Sequence, residues 1–549
     1  MTKLNICTSC NKEFIFSQIE KDFFVKFKVP EPGECFMCQL KQMMAFWPSI
    51  GKWNARKCDF SGETIVTNYS ANSRFPVYKK EYFNSDKWEV PFMDLDMNKS
   101  FFAQVKELQE KTPRPHQLGD NLENCLFCDD ARDSKNCYLA SSFLNCENLY
   151  YSYRCLNCKD CSDLVFCWDS SMCINLVFSK KCFKVSYSAF VNDSSDSLFL
   201  YDCQNTKNCF MSWNLRNAEY CIRNKQYSKE EYYQELEKYD FGSRKQIEIL
   251  QKEFEENIKN EAYHPENRNI MCENVSGNFL TNSKNITNSF LIEESEDSIN
   301  LFRGGWIKNS LNVLSILDCD KSYLINTSAY LYNVKFSSYS IRCKNSEYLD
   351  NCTDLENCFL CVGLKNKKYC ILNKEYEKSE YEELVKKIKL KMWQIGEYGK
   401  FFPYSMMYTE YNSTIARLYF PETKENIEEL GGYYENNFQE NEGNIEEKLF
   451  DNINDIKLVN NQIETICLKT GKKFNYILQV VELHKKLNLP IFSIFHLERI
   501  VNNYKYLTGI IEQKAKCYIS GKQIKHYYNP DLGYKKIISN EEYQKIVNS

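Results

Sequence analysis

Four cysteines near the start of the chain carry its clearest chemistry. Cys7-x2-Cys10 and Cys35-x2-Cys38 are two pairs separated by 24 residues. A C-x2-C turn presents two sulfurs to one metal, and two such turns close a tetrahedron of soft ligands. That donor set suits zinc. Four thiolates leave no open position for a substrate, so the site reads as structural, with one zinc per chain. The expected frame is a ribbon of two facing hairpins, with Val29-Pro-Glu-Pro-Gly33 turning the chain into the second pair.

Other residues that could do chemistry fall short of a site. Cys155-x2-Cys158-x2-Cys161-x5-Cys167 resembles an iron–sulfur run, but the last spacing is unusual and no proline follows. Cys58 in C-x2-S-G is half a knuckle without its partner and reads as a packed core thiol. The five histidines, His116, His264, His484, His496 and His526, stand at no ligand spacing. No glycine-rich phosphate loop is present, and no catalytic constellation emerges, so a binding scaffold is expected ahead of an enzyme.

The elements that surround these residues are dominated by a duplication. N-C-F-M at 208–211 and Y-C-I-R-N-K-Q-Y at 220–227 return as N-C-F-L at 357–360 and Y-C-I-L-N-K-E-Y at 369–376. Cys203, Cys209 and Cys221 recur 149 residues on as Cys352, Cys358 and Cys370. Short apolar runs alternate with Asn, Asp and Ser, and the turns are nearly free of glycine, which disfavours tight hairpins. The pattern predicts a parallel β-solenoid of about two strands and 20–25 residues per coil, with Cys inward and Asn at the bends. A capping box at Ser228-Lys-Glu-Glu231 opens a helix after the first copy; Glu377 replaces the capping serine after the second. A charged segment at about 243–262 reads as an exposed partner helix.

The C-terminal third holds an aromatic loop at 393–421 and an acidic stretch at 422–450 with nine Glu and two Lys, read as a solvated linker. Beyond it the beginning returns. Cys467-x2-Thr470 overlays Cys7-x2-Cys10, and Cys517-Tyr-Ile-Ser-Gly521 overlays Cys58-Asp-Phe-Ser-Gly62. Thr470, Phe495 and Glu498 stand where Cys10, Cys35 and Cys38 stood, so this degenerate module keeps no full metal site.

The whole reads as a mainly β chain with helical additions. The expected segments are a zinc-ribbon module (1–118), a first solenoid half (119–227), a helical segment (228–268), a second solenoid half (269–376), a helix, loop and linker (377–450), and the degenerate module (451–549). The net charge of −4 excludes an overall basic nucleic-acid binder. Both ends are mildly basic, with 17 Lys and Arg against 14 Asp and Glu in 1–118, and 15 against 9 in 451–549. The expected partner is a protein. The alternatives are nucleic acid or ribonucleoprotein at the terminal modules, and an enzyme or electron-transfer centre in the cysteine repeat. The start Met-Thr-Lys-Leu-Asn-Ile-Cys has no signal pattern and no apolar run would span a bilayer. A cytoplasmic chain with reduced thiols is expected.

The combination resembles a group of bacterial proteins, chiefly from reduced-genome candidate phyla. They join a C-x2-C…C-x2-C ribbon, Cys/Asn-rich repeats ending in L-x-N-K-x-Y-x-I-x-N-K-x-Y-x-K-E-x-Y, and a G-E-x-G-x-F-F-P segment. Here Leu215 to Tyr232, Leu364 to Tyr381 and Gly396 to Pro403 carry the match, with departures at Ala218 and Ser379. The resemblance implies the architecture and brings no activity.

Overall fold

The structure, a computed structural model, describes residues 4–48, 53–435, 450–456 and 462–548. The chain forms two compact units, one of 1–117 with 267–435, the other of 118–266 with 436–549. Each contains a parallel β-solenoid with a smaller module packed on its side.

The coil is twelve residues long. Ser162 pairs with Ile174, which pairs with Ser186; Leu311 pairs with Tyr323, which pairs with Lys335. The expected 20–25 residues are therefore too many, and the backbone gives the reason. From Asn121 to Arg223 every third residue has positive φ, and the same rhythm runs from Phe279 to Leu372. Each coil thus has four left-handed corners and four short sides. A left-handed corner costs a non-glycine residue roughly 1–2 kcal/mol, least for Asn and Asp, whose side chains bond locally. That is why the bends are rich in Asn. Its amides also stack: Asn145 donates to Asn157, which donates to Asp169; Asn288 donates to Asn300, which donates to Asn312.

The residue after each corner points inward. Every Cys from Cys125 to Cys221 occupies this phase, as does every Cys from Cys319 to Cys370. The lumen is narrow, and small side chains with a weak donor fit it. Cys161 Sγ lies 3.2 Å from Lys159 O and 3.5 Å from Ser170 O. Serine takes the same position with a stronger bond. Ser310 Oγ donates to Lys308 O at 2.7 Å and accepts from Ser322 N at 3.1 Å. Buried hydroxyls paired both ways avoid the ~1–3 kcal/mol cost of an orphaned polar group.

Both ends of each stack are specified. Gly119 and Gly277 open the coils with φ near +130°, and a Cβ on Gly277 would stand 1.8 Å from Ser289 O. At the far end the motif N-K-x-Y closes the edge. Asn224 Oδ1 accepts from Trp213 N and its Nδ2 donates to Trp213 O; Asn373 does the same to Val362. The side-chain amide stands in for the missing next strand. The helix Lys229–Leu236 then starts on the expected Ser228 capping box, while Glu377 makes no side-chain cap to the helix Lys378–Gln394.

The helix Arg244–Asn260 corrects the expected exposed partner. It buries Ile247, Leu250, Phe254 and Ile258, and Phe254 meets Phe199 of the solenoid at 5.5 Å. Of the acidic stretch, 422–435 carries the helix Lys424–Glu429, and 436–449 lies outside the described residues.

Each module is held by a buried ion pair to the solenoid it covers, on a short side at Asp350 and on a corner at Asp163. In one unit Arg114 reaches Asp350 at 2.5 and 2.6 Å, with Tyr408 and Gln109 also donating to that carboxylate. In the other, Arg499 reaches Asp163 at 2.6 Å, beside Tyr151 and Tyr476.

Candidate metal centre

The first cysteine pair sits on the hairpin formed by Asn5–Ile6 and Glu13–Phe14. The knuckle is closed by Cys7 N donating to Lys12 O, with Asn11 left-handed at the turn. The second pair departs from a facing hairpin. Cys35 is the N-cap of the helix Phe36–Ala45, and Cys38 lies in its first turn. A helix N-terminus offers free N–H groups and a positive dipole end, which favours thiolates there. The helix Gln18–Phe27 links the two pairs, starting on a capping box at Ser17 and ending at left-handed Lys28.

Hairpin and helix bring all four sulfurs within 4.8 Å of one another. Cys7 Sγ is 3.7 Å from Cys38 Sγ, and Cys10 Sγ is 3.9 Å from Cys35 Sγ. A tetrahedron with metal–sulfur bonds of about 2.3 Å has edges of about 3.8 Å, so the residues fit one ion. Cys35 N donates to Cys7 Sγ at 3.3 Å, a backbone donor that steadies a ligand thiolate. The thiols already compete for protons. Hydrogen bonding between Cys38 and Cys35 pulls Cys35 down to about 5 and pushes Cys38 up; a bound cation would remove that conflict by taking all four as thiolates.

The module is anchored through its helices. Phe24 and Phe27 pack on Tyr323 at 6.0 and 5.9 Å, Gln39 accepts from Asn312, and Glu20 accepts from Asn300. The aromatic loop fills the remaining gap. Phe401 and Tyr408 each meet Phe46 at 5.3 Å, and Phe402 meets Tyr348 at 6.2 Å. Gly399 is needed there, with φ +94° and a Cβ position 2.5 Å from Pro30.

The other sequence candidates resolve differently. Cys155, Cys158, Cys161 and Cys167 all point into the lumen, where their sulfurs contact main-chain carbonyls. They form no group of the kind made by Cys7, Cys10, Cys35 and Cys38, which is the only one among the described residues. Burial raises the Cys155 thiol to about 11 and pushes Cys167 well above the usual thiol range, so both hold their protons at neutral pH. Cys58 Sγ accepts from Ser61 N and Lys79 N, a knuckle held by backbone donors. No disulfide joins any described cysteine.

At the positions the sequence aligns with the second, third and fourth ligands, Glu498 pairs with Lys469 at 2.7 Å, and Lys472 stands 4.0 Å from the centre of the Phe495 ring. Cys467 is the one sulfur present there, accepting from Phe495 N at 3.2 Å.

The histidines are packed. His484 donates from Nδ1 to Pro490 O at 2.9 Å and is fully buried; Lys80 N donates to His116 Nδ1. Burial lowers both rings to about 4 and holds His496 well below the ordinary imidazole range. Their folded values lie below the unfolded ~6.5, so their stabilising contribution is complete above pH 6.5 and is lost as pH falls towards 4. We expect denaturant midpoints to fall across that window, by up to about 1.4 kcal/mol per pH unit for each fully buried ring. The slope should weaken in His484→Gln; a midpoint flat from pH 7 to pH 5 would contradict it.

Large side chains stand exposed around one solenoid corner. Trp306 and Tyr330 lie in one corner column, two coils and about 9.6 Å apart with the exposed Asp318 between them; they are 47% and 53% exposed, with Leu317 at 47% on the side before that corner and Tyr332 at 41% on the side after it. None of these four residues stands out in the sequence, because their common corner follows only from the twelve-residue coil. No helix among the described residues is long and apolar enough to cross a membrane.

The fold and site define a class: a four-cysteine metal module seated on a twelve-residue β-solenoid. A scan of protein-family models and a search of curated proteins gave no match to the chain.

Proposed function

We propose that the chain is a zinc-stabilised, non-enzymatic scaffold that binds a protein partner through its solenoid. The exposed Trp306, Leu317, Tyr330 and Tyr332 carry this reading, since Trp and Tyr are enriched in the cores of protein interfaces and clustered apolar exposure marks binding surfaces. Zinc follows from the closed four-thiolate donor set, which leaves no place for substrate. A cytoplasmic location belongs to this reading and is supported by the free state of the described cysteines.

The same reading makes 451–549 a degenerate copy of the N-terminal module. The support is local geometry. Cys467 N donates to Lys472 O as Cys7 N does to Lys12 O, and Leu468 N donates to Ser493 O as Thr8 N does to Gly33 O. Left-handed Asn488 ends the helix Leu478–Leu487 as Lys28 ends its counterpart. The Lys469–Glu498 pair takes over the linking role of the lost ion.

The test is capture of a partner from native extract at about 0.5 M salt, where exposed electrostatic contacts are screened. The expected result is a protein retained by the natural chain and lost in Trp306→Ala/Tyr330→Ala at unchanged melting temperature. Retention of RNA alone, lost as salt rises, would replace this reading with nucleic-acid binding.

A further inference from the structure

A second candidate site shares no residue with the four cysteines or with the exposed aromatics. In the unit that holds the first solenoid half, a cavity of about 230 Å³ opens between the solenoid, the helix Arg244–Asn260 and the end of the helix His496–Tyr504. Four amide-bearing residues line it: Asn175 from a coil corner, Gln251 from the long helix, Asn502, and Asn503, whose Nδ2 donates to Asp163 O at 3.4 Å. Aromatic walls come from Tyr187, Phe254 and Tyr506. The only charges at the lining are Lys505 and Glu255, which neutralise each other in a 3.0 Å pair. The Tyr187 hydroxyl is buried without a hydrogen-bond partner in the protein.

This chemistry is selective. A neutralised ion pair and amides give no purchase to a phosphate or carboxylate, so the ligand is uncharged. Amides offer a donor and an acceptor side by side, the pair that Asn and Gln use on the N6/N7 edge of adenine. Aromatic rings supply the faces on which a base stacks. The volume admits a base with part of its sugar and little more.

We propose that this cavity binds an adenine-type base, presented either as the free nucleoside or as an unstacked residue of a single strand. Gln251 and Asn175 read the edge of the base, and the rings of Tyr187 and Tyr506 enclose it. The site is independent of the protein-binding reading and of the metal.

The experiment titrates the full chain with adenosine and, separately, with an oligoadenylate, by calorimetry or ligand-observed NMR. Cytidine and methyl glucoside are the controls. The expected result is saturable binding of at least one adenine ligand, weakened about tenfold or more in Asn175→Asp/Gln251→Glu, which keeps size and the left-handed corner but removes the amide donors. The melting temperature serves as the fold control. Competition by adenosine against the oligonucleotide identifies the free nucleoside as the source, and oligonucleotide binding alone identifies the strand. The proposal is overturned if neither ligand saturates by about 1 mM. It is equally overturned if the cavity variant binds as well as the natural chain, or if the glucoside binds as well as adenosine.

Discussion

We expect Cys35→Ser to hold no metal and its residues 4–48 to lose their fold. Cys35 is a ligand position, so its loss opens the tetrahedron; it stands at the N-cap of the helix Phe36–Ala45 without a side-chain cap bond, and serine is favoured there, so the effect comes through the metal and not the cap. Structural zinc contributes about 10–16 kcal/mol in small modules. Here the loss is partly offset, because Phe24, Phe27 and Phe46 still have aromatic partners on the solenoid and the loop. We expect a net loss of more than about 5 kcal/mol from the module, a fraction of that zinc contribution. Limited proteolysis should cut within 4–48 while the solenoid stays protected, and a chelator should reproduce the pattern in the natural chain. Equal protection of the variant would show that packing alone holds the module.

Asp350→Ala is the second large effect. The carboxylate is 1% exposed and accepts from Arg114, Gln109 and Tyr408. Removing it strands a guanidinium buried between the rings of Phe75 and Tyr408, 5.5 and 3.7 Å from their centres. An uncompensated buried charge costs about 3–5 kcal/mol. The surface pair Arg342–Asp354, at 2.6 Å but half in water, is the comparison; Asp354→Ala should cost under about 1 kcal/mol. Denaturant midpoints of the two variants measure the contrast. Similar midpoints would mean that the Arg114 network is relaxed by water and does not pin the module to the solenoid.

Much of this architecture is legible in the residues. The repeated Cys and Asn give a parallel solenoid with thiols inward and amides at the bends, because Cys packs in the lumen beside Leu, Ile and Val and because Asn and Asp take left-handed corners at the least cost. The four-cysteine cluster is equally plain from its spacing. The expected coil of 20–25 residues takes two apolar runs to a coil, where the pairing gives twelve residues. The signal was present in a different period: Cys155, Cys158, Cys161, Cys167 and Cys173 all differ by multiples of three. The helical setting of Cys35 was missed because C-x2-C describes a sulfur pair and not the element after it. Which module covers which solenoid half is also not local information. The N-terminal module packs on the half that begins some 270 residues later, through Tyr323 and Asn312. The cavity at Asn175 and Gln251 was invisible for the same reason, since three distant segments make it.

The central claim is that one metal is held by Cys7, Cys10, Cys35 and Cys38 while the lumen thiols serve only packing. Elemental analysis of the purified native chain, with an ultraviolet–visible spectrum, tests it most directly. The account expects one zinc per chain, a colourless spectrum, and no metal in Cys35→Ser. Iron, a coloured spectrum, or two or more ions surviving in that variant would contradict it and turn the cysteine repeat into a cofactor site.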